Sequence, residues 1–214
     1  MSLITLTDPR SPVSEAYRTL RTNLSFYSLD NPVKTLVVTS AEPNEGKSTT
    51  AANLAVTMAQ AGNSTILVDC DLRRPSLHEL FEVSNKSGFT EAVLQDGSPN
   101  LQQTSVENLR LLTSGTKPPN PADLLGSKRT DDILQGLADS ADYVIFDAPP
   151  VIAVTDAVVL GAKVDGVLLV LQAGKSRRDH AERAKQILEQ AKVRIVGATL
   201  TNAPKDDSIE SYYG

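Results

Sequence analysis

The chain has 214 residues, of which 40% are hydrophobic and 22% are charged, and its formal net charge is −5. This length and balance are typical of one globular domain with a sizeable core, and they exclude a disordered or fibrous chain. The acidic charge gives no electrostatic basis for nucleic-acid binding. The single cysteine excludes an internal disulfide or a cysteine-based metal site. No apolar run approaches the roughly 18 residues of a membrane span.

The N-terminal segment, residues 1–12, lacks the basic region and apolar core of a secretory signal, and its two prolines predict a flexible arm. A helix is then predicted up to Tyr27, because apolar residues recur every three or four positions. Glu15, Arg18 and Arg21 lie beside the apolar face. Their spacing is compatible with a solvated charged edge or with an oligomer contact, and by itself it favours the solvated edge.

Residues 40–50 form the most informative stretch, because an apolar strand leads into a loop ending in Gly46-Lys47-Ser48 and then into an alanine-rich helix. This order predicts a phosphate-binding loop, where backbone N–H groups and the helix dipole favour an anion. In such a loop Lys47 reaches the terminal phosphates and the Ser48 hydroxyl can ligate Mg²⁺. Alanine replaces the usual first glycine at position 41, which removes no phosphate-contacting group. The predicted nucleotide-binding residues of the loop are Asn44, Glu45, Gly46, Lys47, Ser48 and Thr49.

Strands and helices alternate along the rest of the chain. Strands are predicted at 34–40, 64–69, 109–113, 143–147, 166–171 and 193–200, helices at 47–61, 77–81, 127–139, 154–163 and 176–191, and turns at 114–121. This order predicts an α/β fold with a doubly wound, mostly parallel sheet and helices on both faces. We expect a single domain over residues 13–203. Residues 204–214 are predicted to be a flexible acidic tail that carries Tyr212 and Tyr213.

Three aspartates follow apolar strands, where ligand sites of open α/β sheets lie. Asp69 and Asp71 end one strand, and a period of two places both on one side with Cys70 facing away. Asp147 ends a later strand and is suited to a metal-water site, because Mg²⁺ prefers oxygen ligands. Asp69 or Asp71 could hold the metal or take a proton from an attacking hydroxyl.

Three further polar residues lie beside these predicted strand ends. Arg73 and Arg74 follow the aspartate pair, where a guanidinium could contact a phosphate or a neighbouring subunit. Asn202 follows the last strand, where it could read a base edge, although an ordinary turn residue is an equally good explanation.

With these motifs in place, the chain resembles the bacterial tyrosine kinases of capsule and exopolysaccharide export, within the division-and-partition group of phosphate-loop ATPases. Residues 41–49 resemble their Walker A motif and residues 66–73 their additional Asp-x-Asp-x-Arg Walker motif. Residues 144–150 resemble their Walker B motif, with alanine at position 148 where serine or threonine is frequent. Residues 15–21 match the family's Glu-x-x-Arg-x-x-Arg oligomerisation motif, so the resemblance favours the oligomer contact for these residues.

The resemblance implies an ATP- and Mg²⁺-dependent tyrosine kinase that phosphorylates Tyr212 and Tyr213 of a neighbour's tail within a ring. By position, Lys47 would stabilise the transferring phosphoryl group and Asp69 would be the base for the tyrosine hydroxyl. Ser48, Asp71 and Asp147 would organise the metal, with ADP as the other nucleotide bound. The resemblance also implies protein tyrosine substrates and a membrane adaptor of the polysaccharide co-polymerase type. The chain would then be cytoplasmic and peripheral at the inner face of the membrane, without inserting into it.

Two other functions are compatible with a phosphate-binding loop. A partition- or positioning-type ATPase usually has a second lysine early in the loop, where this chain has Glu42-Pro43-Asn44. A scaffold that has lost turnover is disfavoured, because Lys47, Ser48 and the aspartates are all present.

Overall fold

The computed structural model of the chain describes residues 3–27, 31–95 and 97–204. The strands are β1 Thr35–Ser40, β2 Thr65–Asp69, β3 Gln102–Gln103, β4 Leu109–Leu112, β5 Tyr143–Asp147, β6 Gly166–Gln172 and β7 Ile195–Thr201. The helices are α1 Ile4–Thr7, α2 Pro12–Tyr27, α3 Lys47–Gln60, α4 Leu77–Leu80, α5 Phe89–Leu94, α6 Pro121–Gly126, α7 Lys128–Asp139, α8 Asp156–Gly161 and α9 Arg178–Gln190. Among the described residues, no helix is both long and apolar enough to cross a membrane.

The strands form one seven-stranded sheet in the order β3-β4-β2-β5-β1-β6-β7. Every pairing is parallel except that of β3 with β4, which adds a short antiparallel edge strand that was not predicted. The central strands β1, β2 and β5 therefore end at the same edge of the sheet. Val38 pairs with Asp147 and Asp69 also pairs with Asp147, so the register places the two carboxylates on neighbouring strands.

Apolar clusters cover both faces of the sheet, which confirms the predicted doubly wound α/β fold. One face packs against α2 and α3, and the alanine-rich α3 is almost entirely buried there. The other face packs against α5 to α9. Cys70 belongs to this second cluster together with Ile66 and Val68, so it faces away from Asp69, as the alternation predicts.

The prediction of a flexible arm is wrong for residues 3–12. Leu3 is buried against the core, α1 follows it, and α2 begins at Pro12. The buried Thr5 hydroxyl donates a hydrogen bond to Asn53 Oδ1 of α3 at 2.8 Å. Proline is well suited to the first turn of a helix, where its missing N–H would have no partner, so Pro12 starts α2 instead of breaking structure.

Residues 114–121 are a turn, as predicted, but Pro121 also opens the unpredicted helix α6. As with Pro12, a proline at the first position of a helix is easily mistaken for a helix breaker. Helix α8 is shorter than predicted, beginning at Asp156 and ending at Gly161.

Candidate active site

The loop of residues 41–46 joins β1 to α3, and its conformation explains its composition. Asn44 and Gly46 have positive φ angles of 62° and 92°. A Cβ at Gly46 would lie 3.1 Å from Thr201 Cγ2, so both the backbone and the space favour glycine there. The Ala41 side chain is buried in the core, where its methyl group packs on apolar neighbours. Alanine is therefore accommodated at this position because its side chain faces the interior.

Glu45 fastens the phosphate-binding loop to the rest of the sheet edge. It is 1% exposed, and its carboxylate accepts hydrogen bonds from Glu42 N at 2.7 Å and from the Ser176 hydroxyl. The Thr201 hydroxyl donates to the Glu45 carbonyl at 2.8 Å. The carboxylate of this predicted nucleotide-binding residue is thus turned into the protein, which leaves its backbone N–H as the group that could meet a phosphate. No local sequence signal distinguishes Ser176 or Thr201, since Ser176 comes from the loop after β6 and Thr201 from the end of β7, both distant in sequence.

Lys47 lies at the centre of a cluster of oxygen atoms. Its Nζ is 2.8 Å from Asp71 Oδ2, 3.2 Å from Asp147 Oδ1 and 3.1 Å from Ser48 Oγ. Burial alone would lower the pKa of Lys47, but the charges of Asp147 and Asp71 outweigh burial and raise that pKa above its ordinary value. Lys47 is therefore a permanently charged group held between two carboxylates.

The aspartates of the additional Walker motif have different environments. Asp69 is 0% exposed, and its carboxylate accepts hydrogen bonds from the backbone N–H groups of Asp71 at 3.2 Å, Ser76 at 3.0 Å and Leu77 at 3.0 Å. Asp71 is 4% exposed and lines the cavity in front of the loop. Only Asp71 therefore presents its carboxylate to a molecule bound in that cavity.

Burial raises the pKa of Asp69 to about 7, and the charge of Asp147 contributes in the same direction. A carboxyl with this pKa is suited to accept a proton near neutral pH. Its position argues against this role, because a base must contact the hydroxyl and three backbone donors enclose this carboxylate. We give the position more weight. Burial also raises the pKa of Asp147, opposed by the Lys47 charge.

The cavity in front of the loop has a volume of about 530 Å³. Lys47, Ser48, Asp71, Arg73 and Arg74 line it. Among the predicted nucleotide-binding residues, Asn44, Gly46 and Thr49 also face it. Asn202 does not line this cavity; it follows β7 with a φ of 52° beside Thr201, so its contact with a base remains a prediction.

An ion pair with a buried carboxylate holds the half-buried Arg73 in place. Arg73 Nε and Nη2 donate to the two oxygens of Asp156 at 2.9 Å and 3.0 Å, and Asp156 is fully buried at the start of α8. This bidentate pair anchors the turn after β2 to the start of α8. Asp156 was not predicted from the sequence, because its only local signal is an acidic residue at the start of an apolar helix.

The oxygen cluster around Lys47 is compatible with Mg²⁺. Ser48, Asp71 and Asp147 direct a hydroxyl and two carboxylates towards one cation, the ammonium group. Within the described parts of the chain, no three histidine, cysteine, aspartate or glutamate side chains converge as a metal cage. That composition suits Mg²⁺, which usually takes one or two protein carboxylates and fills its shell with phosphates and water.

The charged residues of α2 lie away from this cavity and bond within the chain. Arg18 pairs with Glu15 and also donates to the Pro9 carbonyl at 2.7 Å. Arg21 Nη1 donates to the Thr57 carbonyl of α3 at 2.8 Å. Arg21 thus stabilises the packing of α2 on α3, a role that spacing alone did not reveal. The predicted acceptors Tyr212 and Tyr213 lie outside the described residues.

Comparison with known proteins assigns the fold and the family. Residues 32–202 match the protein family described as ParA, NUBPL iron-transfer P-loop NTPase. The chain is 43% identical over 216 residues to the tyrosine-protein kinase YwqD of Bacillus subtilis, which covers 100% of this chain and 91% of that protein. It is 36% identical to the tyrosine-protein kinase etk of Escherichia coli over 96% of this chain, but it spans only 29% of that longer protein.

The kinase domain of the E. coli tyrosine kinase ETK has the same fold as this chain. The two superpose with a TM-score of 0.89 and 34% identity, covering 95% of this chain and 82% of that domain. Similarity of sequence and structure over nearly the whole length thus accompanies the phosphate-binding loop and the strand-end aspartates. The chain is a nucleotide-using P-loop protein of the ParA group and, within that group, belongs to the family of bacterial tyrosine-protein kinases.

Proposed function

We propose that the chain transfers the γ-phosphate of ATP, with Mg²⁺, to protein tyrosines, including Tyr212 and Tyr213 of another copy. The observation that carries the proposal is the convergence of Lys47, Asp71 and Asp147 beside a cavity of about 530 Å³. A phosphate chain, a cation and a hydroxyl must meet in phosphoryl transfer, and this cluster supplies groups for each.

Each residue of the cluster has a proposed role. When a nucleotide binds, Lys47 Nζ would exchange its contacts with the two carboxylates for contacts with phosphate oxygens. It would then stabilise the negative charge of the transferring phosphoryl group. Asp147 and Ser48 would hold Mg²⁺, which when bound neutralises phosphate charge. We propose that Asp71 accepts the proton of the tyrosine hydroxyl, because Asp71 lines the cavity and Asp69 does not. Asp69 is then a positioning residue that holds the turn of residues 70–77, and not the base that the family resemblance implied.

Phosphate mapping tests this function. We expect purified chain, incubated with ATP and Mg²⁺, to carry phosphotyrosine at Tyr212 or Tyr213 by mass spectrometry, and the Tyr212→Phe/Tyr213→Phe variant to lack it at the tail. For transfer between copies, the active Tyr212→Phe/Tyr213→Phe chain is mixed with Lys47→Met chain that retains both tyrosines. Phosphate should then accumulate on the Lys47→Met chain.

Phosphate release without phosphotyrosine on any chain would contradict the proposal and leave a partition-type ATPase. Absence of both activities would leave a scaffold. If phosphotyrosine forms on the wild-type chain but never on the Lys47→Met chain, transfer takes place only within a single chain.

We also propose that α2 forms the contact between copies of a ring-shaped homo-oligomer. The Glu15–Arg18 pair is partly exposed, with side chains 36% and 29% exposed, so a neighbour can reach it. Arg21 is committed to Thr57 within the chain, so its removal would confuse an oligomer defect with a folding defect.

Arg18→Ala is therefore the cleaner test of the oligomer. We expect it to lower the mass measured by light scattering and to slow phosphorylation of the Lys47→Met partner, while the free energy of unfolding falls by less than about 1 kcal/mol, as for other exposed pairs. Arg178→Ala, which removes another exposed pair on α9, is the matched control. An unchanged mass for Arg18→Ala, under conditions where the wild type assembles, would exclude this contact.

Regulation of polysaccharide synthesis and export, through a membrane adaptor of the polysaccharide co-polymerase type, is also part of the proposal and rests on the family resemblance. The chain would work in the cytoplasm at the inner face of the membrane. Its recovery with the membrane fraction should then depend on co-expression of such an adaptor, and adaptor-independent recovery would contradict this assignment.

A further inference from the structure

Arg74 differs from the other cations that line the active-site cavity. Lys47 is paired with Asp71 and Asp147, and Arg73 is paired with Asp156. Arg74 is exposed, and within the parts of the chain that the structure describes its guanidinium has no hydrogen-bond or ion-pair partner. It is thus a positive charge on the cavity wall whose hydrogen-bond donors are available to a bound molecule.

The backbone at this position is held in place. The N–H of Arg74 donates to Asp71 Oδ1 at 3.0 Å, and the next part of the turn is held by the Asp69 carboxylate. The turn that presents the guanidinium is therefore anchored to the two aspartates of the active site. Because its backbone is fixed beside Asp71, the side chain can reach a molecule bound next to Asp71.

The predicted acceptor segment has the complementary charge. Residues 205–214 contain Asp206, Asp207 and Glu210 but one lysine, and Glu210 stands two positions before Tyr212. If the Tyr212 hydroxyl is presented to Asp71, the Glu210 carboxylate, two positions away in sequence, would lie within reach of the cavity wall. A guanidinium is well suited to this group, since its planar donors bind a carboxylate in a bidentate manner.

We propose that Arg74 binds a carboxylate of the acidic peptide that carries the acceptor tyrosine, and so makes acidic tyrosine segments the preferred substrate class. This inference rests on the proposed kinase function. The other anion that could occupy the position is a nucleotide phosphate, and the kinetic test separates the two.

The test uses a synthetic peptide of residues 205–214 and a second peptide with Asp206→Asn, Asp207→Asn and Glu210→Gln. The enzyme is the full chain carrying Tyr212→Phe/Tyr213→Phe, so that only the peptide accepts phosphate. We expect Arg74→Gln to raise the KM for the acidic peptide about tenfold, as for the loss of a charged hydrogen bond, with kcat and the KM for ATP nearly unchanged. The neutral peptide should be insensitive to Arg74→Gln, and Arg74→Lys should be intermediate because it keeps the charge without the planar donors.

Arg178→Gln, at an exposed arginine of α9, serves as the control and should leave both KM values unchanged. A peptide KM that does not change in Arg74→Gln overturns the inference, and a raised KM for ATP alone assigns the guanidinium to the nucleotide. A binding measurement with fluorescently labelled acidic peptide is independent of turnover: weaker binding to Arg74→Gln supports the inference, and equal binding overturns it. If the wild type forms no phosphotyrosine at all, the proposed kinase function is refuted. The binding measurement would still decide whether Arg74 binds the acidic peptide.

Discussion

Lys47→Met is expected to lower tyrosine phosphorylation by about 10²- to 10³-fold, the usual cost of removing one donor that stabilises transition-state charge. It should also lower the stability of the folded chain. Lys47 is the counter-ion of Asp71 and Asp147, and removing one partner of a buried pair leaves an uncompensated charge, at a cost on the order of 3 kcal/mol.

The stability loss of this variant should depend on pH. The Lys47 charge opposes the rise that burial causes in the pKa of Asp147. Without the ammonium, that folded-state pKa rises further, so the folded variant takes up a proton more readily than the wild type. The deficit should therefore be largest at high pH, where the buried Asp147 carboxylate is charged, and should shrink as the pH falls through the raised pKa of Asp147.

Phosphotyrosine quantified by mass spectrometry and thermal unfolding from pH 5 to 8 measure the two effects. Lys185→Met, which removes an exposed lysine paired with Glu189 on α9, is the control and should change neither. A Lys47→Met chain that phosphorylates within tenfold of the wild type would remove Lys47 from the mechanism.

The second large effect concerns Asp69, which ends β2, and Asp71, which follows it. Asp71→Asn is expected to slow phosphorylation by about 10²- to 10⁴-fold, the range for loss of a general base, while affinity for ATP with Mg²⁺ falls much less. If that affinity falls as far as the rate does, Asp71 is a metal ligand and not the base. Asp71→Glu, which keeps the charge, is the matched comparison for nucleotide binding.

Asp69→Asn should act mainly through structure, because an amide offers one oxygen where the carboxylate accepts three backbone N–H groups. Burial raises the pKa of Asp69 from 3.8 to about 7, so the folded wild type binds a proton that the unfolded chain releases. The contribution of the Asp69 carboxyl to the free energy of unfolding is complete below about pH 4 and is lost as the pH rises through about 7. The Tm deficit of Asp69→Asn relative to the wild type should therefore be larger at pH 5 than at pH 8.

The dependence of the phosphorylation rate on pH can contradict the assignment of Asp69 as a positioning residue. Suppose the wild-type rate rises with pH through about 7 and Asp69→Asn loses that rise without a change in Tm. Asp69 would then be the base, as the family resemblance implies, and the turn of residues 70–77 would have to open for the hydroxyl to reach it.

The sequence by itself was sufficient for the phosphate-binding loop, the central strands and the aspartates at their ends. These features depend on neighbours in the chain: a glycine with a left-handed backbone, a period of two along a strand, and a lysine at the start of a helix. Parallel strands then bring their ends to one edge of the sheet, which is why a linear pattern could predict a cluster of groups at one site.

Only the tertiary structure separated Asp69 from Asp71 and paired Arg73 with Asp156. It also showed that Leu3 and α1 pack against the core where a flexible arm was predicted, and that Arg21 bonds to the Thr57 carbonyl of the same chain. In each case the deciding quantity is burial or a partner supplied by a segment distant in sequence. A residue's own neighbours do not determine which distant segment covers it, and that cover sets the cost of its charge and the groups that its side chain can reach.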